Sequence, residues 1–265
     1  MRLAVLSDIH GNLIALETVL VDLEAQGGAD MIWCLGDLAA FGSRAGECIA
    51  RIRQLSEVED EDKRKKFKTI GGNTDRYLLT GESFPQAPAK DEAELQKQRV
   101  FFQQWHTIMN WQREQISWED YEFMKKIQGR ELWQEIDDYG TIVGYHAVPG
   151  NDEAFLKPDT SQEEAADFML DREGRLGIGG HTHIQMNREV GRWILVNVGS
   201  VGMSVDNPGY AQYGIFTFDQ GVLTVNLRNI PYDVDAAITD LEVTGHPVPD
   251  WIETRVRPVK TEEVS

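Results

Sequence analysis

Seven residues with the chemistry of metal ligands stand at or just after the ends of apolar runs. "RLAVL" leads into Ser7-Asp8-Ile9-His10-Gly11-Asn12, and "MIWCL" leads into Gly36-Asp37. "FKTI" is followed by Gly71-Gly72-Asn73-Thr74-Asp75, "TIVGY" by His146, and "LGI" by Gly179-Gly180-His181-Thr182-His183. Carboxylates, an amide oxygen and imidazoles together make a mixed oxygen/nitrogen shell. Such a shell suits Mn, Fe, Ni or Zn better than Ca or a thiolate-bound ion. A carboxylate shared by two ligand sets can hold two ions ~3.5–4 Å apart, the spacing at which a metal pair clamps an in-line displacement. Each feature alone is ambiguous: an Asp after a strand caps a helix, Asn73 fits a turn, and a lone His packs in a core. The ordered set Asp-x-His, Gly-Asp, Gly-Asn, His and Gly-His-x-His is far more specific than any member.

Five segments must therefore meet on one edge, and the pattern of elements allows it. "RLAVL", "MIWCL" and "FKTI" read as buried strands. The helices "NLIALETVLVDLEAQGG" and "AGECIARIRQL" alternate with them. The first helix turns Leu13, Leu16, Val19, Leu20 and Leu23 to one side and ends at paired glycines. Strand–helix–strand order with continuous apolar strands predicts parallel pairing under helices, and such sheets bind ligands at the carboxyl ends of their strands. The glycines before Asp37, Asn73 and His181 predict close backbone approach and unusual φ values there. From about Leu78 to Gln134 the pattern is helical and Trp-rich, with Ser117 as an expected N-cap. This segment packs on the sheet, covers the site or forms an oligomer contact. Strands follow at "TIVGYHA", "LGIGG", "WILVNVGS", "YGIFTFD" and "VLTVNLRNI", then a helix at "DVDAAITDLEV" and a short packed tail after Gly245.

A formal charge of −18 disfavours a general nucleic-acid-binding surface. The basic cluster Lys63–Lys66 is preceded by acids and reads as a solvated loop. Cys34 and Cys48 form no CxxC pair, which fits a reducing compartment. With no signal peptide and no apolar run of bilayer length, the expectation is a cytoplasmic protein without a membrane partner. An acidic chain handling an anionic substrate needs cations at its site, and bound metals supply them.

The blocks "SDIHGN", "GDL", "GGNTD", "GYHA", "GGHTH" and "NVGSVG" span residues 7–202. Together they resemble the calcineurin-like metallophosphoesterases, and within these the small bacterial and archaeal phosphodiesterase branch. "NWQREQISWEDYEFM" is similar to that branch as well. The resemblance implies an α/β fold: a four-layer αββα sandwich of two mixed β-sheets flanked by helices. It implies a single domain over residues 1–265, with a helical cap-like insertion at about 80–135. It assigns Asp8, His10 and His183 to one divalent transition metal ion and Asn73, His146 and His181 to a second, with Asp37 shared by both. Mn is the first expectation, with Fe, Zn or Ni as alternatives. A hydroxide held between the ions would attack phosphorus in line, without a covalent enzyme intermediate.

One position departs from the pattern. Many family members carry a His after the Gly-Asn, where this chain has Thr74, a side chain that is no acid at neutral pH. General acid help is worth ~10²–10⁴-fold, so its loss favours diesters or anhydrides with good leaving groups over alkyl monoesters. His106 and His246 are expected to be surface or core residues without a catalytic role. Asn12 and Arg76 are candidate substrate contacts, against turn and solvent roles respectively. The leading expectation is a phosphodiesterase acting on a small phosphorylated substrate. Alternatives are a phosphomonoesterase or protein phosphatase, a dinucleoside polyphosphate hydrolase, and a non-catalytic protein-binding scaffold on the same fold. A homo-oligomer is left open.

Overall fold

The computed structural model of the chain describes residues 1–58, 60 and 66–257. Of the basic cluster, Lys63, Arg64 and Lys65 lie outside the described residues. Two mixed five-stranded sheets face each other. The first has the order β10-β9-β1-β2-β3, from β1 (Arg2–Leu6), β2 (Met31–Cys34), β3 (Phe67–Thr69), β9 (Tyr210–Asp219) and β10 (Val222–Pro231). The second has the order β4-β5-β6-β8-β7, from β4 (Leu132–Ile136), β5 (Gly140–Gly144), β6 (Leu176–Gly179), β7 (Met186–Val190) and β8 (Trp193–Asn197). β1, β2 and β3 run parallel, as the strand–helix–strand order predicts, with Leu3 opposite Met31 and Leu6 opposite Cys34. β5, β6 and β8 are parallel too, and antiparallel neighbours complete each sheet.

The twofold side-chain alternation of strands explains the layers. Leu3 and Val5 of β1 point between the sheets, where they meet Trp33, Leu35, Ile142, Ile178, Val196 and Phe216. Ala4 and Leu6 point the other way, into a larger core formed with helices. Strands buried on both faces read as unbroken apolar runs, which is why β1 and β2 were legible. α1 (Leu13–Ala25) and α2 (Ala45–Ser56) cover the first sheet. On α1, Leu16, Val19 and Leu23 are buried, and Leu13 and Leu20 pack at the core's margin, the side expected from the sequence. α6 (Gln162–Asp167) packs Ala165 beside Val143, Tyr145 and Leu195 on the outer face of the second sheet.

The Trp-rich segment folds as α4 (Glu92–Glu114) and α5 (Trp118–Ile127), with the Ser117 hydroxyl accepting from Asp120 N at 3.1 Å. A short helix α3 (Asn73–Thr80) precedes it. The helical reading ran too far at its end, because Leu132–Ile136 is β4. Trp133, Gln134 and Glu135 lie on an edge strand whose faces alternate between half-buried and exposed, so its apolar signal is weak. β7, "MNREV", escaped notice for the same reason: only Met186 and Val190 are buried. After Gly245 the tail forms α8 (Pro249–Val256), following α7 (Val234–Val243). Among the described residues no helix is long and apolar enough to cross a membrane.

Candidate metal centre

The five run ends converge where the sheets' carboxyl edges meet, and all seven candidate ligands arrive there in two groups. Asp8, His10 and His183 form one cluster of possible ion ligands, and Asp37, His146 and His181 form another. Asn73 joins the second: its Oδ1 lies 3.0 Å from His146 Nε2 and 3.1 Å from His181 Nδ1. Asp37 stands between the groups, with Oδ2 3.6 Å from His10 Nε2 and 3.5 Å from His146 Nε2.

The backbone is bent to deliver these side chains. Asp8, His10, Asp37, His181 and His183 all have left-handed φ values between 50° and 67°. Non-glycine residues avoid this region, and each costs about 1 kcal/mol or more unless its surroundings impose it. Of the glycines expected to have unusual φ values, Gly36 does, at 97°, and otherwise such values fall on the ligands themselves. Gly72 and Gly180 instead provide closeness. A Cβ on Gly72 would sit 2.6 Å from His146 Cε1 and 2.7 Å from Asp37 N. One on Gly180 would sit 2.7 Å from Ser7 Cβ and overlap Asp8 Oδ2.

Hydrogen bonding orients the rings for cation binding. His146 Nδ1 donates to Leu35 O at 2.8 Å, His183 Nδ1 to Met203 O at 2.8 Å, and His10 Nδ1 to Ala39 O at 3.3 Å. A carbonyl on one ring nitrogen fixes the tautomer and leaves the other nitrogen's lone pair free for an ion. The Nε2 atoms of His10 and His183 then face each other at 3.0 Å, with Asp8 Oδ1 3.2 Å from His183 Nε2. That carboxylate oxygen is buried without a hydrogen-bond donor. Lone pairs crowded at this distance repel unless a cation or proton lies among them. The residues therefore fit metal ions.

Charge follows the same logic. Burial alone would raise the Asp37 pKa, yet His146, His10 and His181 hold its carboxyl far below the usual range. Burial pulls His10 and His181 down to about 4, so both prefer to be neutral lone-pair donors. His146 goes the other way, to about 10: burial opposes its charge, and the field and hydrogen bond of Asp37 prevail. A proton there occupies the place of a cation.

Both clusters open into a cleft of about 540 Å³. Thr74 lines it, its backbone N donating to Asp37 Oδ1 at 2.9 Å and its hydroxyl turned toward Ala39 O. Every imidazole lining the cleft, His10, His181 and His183, belongs to a cluster. His106 is exposed on α4. His246 is buried, donating from Nε2 to Phe41 O at 2.7 Å and accepting from Val248 N. The cap-like segment contributes Phe84, Gln86, Phe101 and Trp105 to the walls, so Trp105 serves both as core and as lining. Sequence reasoning missed Phe41, Phe155 and the α8 pair Trp251 and Arg255. A glycine-rich stretch around Phe41 was the one signal available.

The two candidate substrate contacts are engaged elsewhere. Arg76 forms a bidentate pair with Asp152 at 2.9 Å, reaches Glu153 at 2.6 Å and also pairs with Glu82. Three carboxylates leave it no free edge for a phosphate, and it is absent from the cleft lining. Asn12 caps α1, accepting from Ala15 N at 3.1 Å, while its Nδ2 donates to Gly202 O.

Carboxylate and imidazole clusters on one edge of a two-sheet sandwich define a candidate metal centre. The chain belongs to the calcineurin-like phosphoesterase superfamily: the family model for that domain matches residues 1–221. The family is metal-dependent and hydrolyses phosphoesters. The chain is 26% identical to an uncharacterized protein of Methanocaldococcus jannaschii, over 96% of each chain. A shorter match, 32% identical over 75 residues, is to a symmetrical bis(5'-nucleosyl)-tetraphosphatase of Actinobacillus pleuropneumoniae serotype 3. That match covers 28% of this chain and 25% of the other. The crystal structure of a metallophosphoesterase from Sphaerobacter thermophilus superposes with a TM-score of 0.69 at 22% identity, over 97% of this chain and 98% of that one. This last likeness establishes the fold.

Proposed function

We propose that the chain is a dinuclear-metal phosphodiesterase. One ion would be held by Asp8, His10 and His183, the other by Asn73, His146 and His181, with Asp37 between them. The observation that carries the reading is the pair of inward-facing lone-pair clusters around one carboxylate. Two divalent ions there would activate water for in-line attack and neutralise the phosphoryl oxygens. Mn is the first candidate, since the shell lacks thiolates and mixes oxygen with nitrogen.

The protein's own residues set the preference for substrate. Asp8 and Asp37 bring only two carboxylate charges against two divalent ions, so the loaded centre stays positive and attracts a phosphoester anion. Thr74 Oγ1 faces a backbone carbonyl, and among the described residues no imidazole outside the clusters lines the cleft. A leaving group must then depart without a proton from a side chain. Diesters and anhydrides with acidic leaving groups meet that condition better than alkyl monoesters. The partial likeness to a dinucleoside tetraphosphatase, together with the aromatic cleft walls, supports a nucleotide anhydride as a second reading. A single domain with the segment at about 80–135 as part of the cleft wall fits either substrate. The test is turnover with Mn of an activated diester, an alkyl monoester and a dinucleoside polyphosphate. The diester or the anhydride should exceed the monoester in kcat/KM, and a monoester preference would overturn the reading.

A further inference from the structure

The C-terminal helices add a wall to the cleft that lies beyond the matched residues 1–221. They are docked on the loop next to the clusters. Asp240 of α7 accepts from Ser43 Oγ at 2.9 Å and Arg44 Nε at 2.8 Å, and His246 holds Phe41 O. Phe41 has a left-handed φ of 75° and bridges the two regions. Its ring lies 5.0 Å from that of His10 and 5.3 Å from that of Trp251. Trp251 in turn carries Arg255, whose Cζ sits 3.5 Å from the ring centroid.

Among the described residues, Arg255 is the only lysine or arginine that lines the cleft. Its Nη1 donates to Trp251 O at 2.7 Å and contacts Thr254 Oγ1. Among the described residues, its Nε and Nη2 have no acceptor, and no carboxylate pairs with it. The chain has 44 acidic residues against 26 basic ones, so a half-buried arginine that meets no acid among the described residues is notable. Arg44, Arg53, Arg76, Arg172 and Arg228 each sit against a carboxylate. Burial pulls the Arg255 pKa down with nothing to offset it. The free Nε/Nη2 edge is the fork that grips a phosphate or carboxylate in two parallel bonds. Its position, fixed by stacking on Trp251, spares an incoming anion the cost of ordering it.

We infer that Arg255 on its Trp251 platform is a second anion subsite, so that the substrate is a nucleotide-like phosphoester. One phosphate would lie at the metal clusters and a second at Arg255. A flat ring attached to them would lie against the aromatic walls formed by Phe41, Phe84, Phe101, Trp105 and Phe155. This inference rests on the hydrolase reading for where the first phosphate lies.

The test is calorimetric binding to the full-length, Mn-loaded protein of two phosphonate ligands, each verified intact after the titration. Adenosine methylenediphosphonate carries two anionic groups, and adenosine methylphosphonate carries one. Arg255→Gln should weaken the doubly anionic ligand by about tenfold or more relative to the singly anionic one, the scale of a charge-assisted pair. Arg255→Lys, which keeps charge and loses the fork, should recover part of that loss. An unchanged ratio of the two affinities in Arg255→Gln overturns the subsite. Because the readout is binding, absence of turnover in the wild type with every metal would sink the hydrolase reading alone. A persisting Arg255-dependent ratio would then still uphold the subsite.

Discussion

Replacing Gly72 by alanine isolates the closeness that assembles the site. Gly72 has a φ of −104° and a ψ of −174°, a conformation any residue adopts, so a backbone penalty plays no part. The added Cβ would lie 2.6 Å from His146 Cε1 and 2.7 Å from Asp37 N, and closer still to Asp37 Oδ1, where ordinary contact is 3.4–4 Å. Relief requires Asp37 and His146 to withdraw by roughly 0.7–1.2 Å, and a misplacement near 1 Å costs on the order of 10²-fold in rate. The expected phenotype is a folded protein with a cooperative melt, weakened Mn binding and kcat/KM on an activated diester down by about two orders of magnitude. Gly28→Ala is the control: its φ of +70° makes alanine strained, but nothing stands within 4 Å of the new methyl. It should lose about 1 kcal/mol of stability and no activity. A Gly72→Ala enzyme matching the wild type in metal content and turnover would refute the steric argument.

Thr74→His supplies the missing imidazole beside Asp37 and should raise monoester turnover relative to activated diester turnover; an unchanged ratio counts against the leaving-group argument. Burial of His246 lowers its pKa from 6.5 to about 4, so below pH 6.5 the unfolded chain binds a proton that the folded one excludes. Its contribution is complete above that pH and is lost as pH falls toward 4, up to about 3 kcal/mol. Melting temperatures of wild type and His246→Gln should therefore converge as pH drops over this range, and a constant gap would refute the linkage. Arg76→Gln should lower stability by releasing Asp152, Glu153 and Glu82, while leaving the KM for an activated diester unchanged. A large rise in KM would reinstate Arg76 as a phosphate contact.

Much of the fold and the candidate cluster residues was legible because both rest on local signals. Doubly buried strands such as β1 and β2 are continuous apolar runs, and residues at their carboxyl ends share one edge by topology. Edge strands β4 and β7 carry few buried side chains, so their pattern hides among polar residues. What pairs with what across long separations was not legible. Arg76 meets Asp152 and Glu153 some seventy residues away, and the Phe41–Trp251 contact joins opposite ends of the chain. The left-handed backbone at Asp8, His10, Asp37, His181 and His183 leaves no mark in composition. It arises because the surrounding structure imposes it.

In the proposed centre Asp37 joins two ion sites. Titrating metal-free protein with Mn and counting bound ions tests it most directly. The wild type should bind two ions per chain, and Asp37→Ala should fail to hold the pair and lose diester turnover. A wild type that binds no transition metal, or an Asp37→Ala variant that keeps both ions and near-normal turnover, would contradict the account.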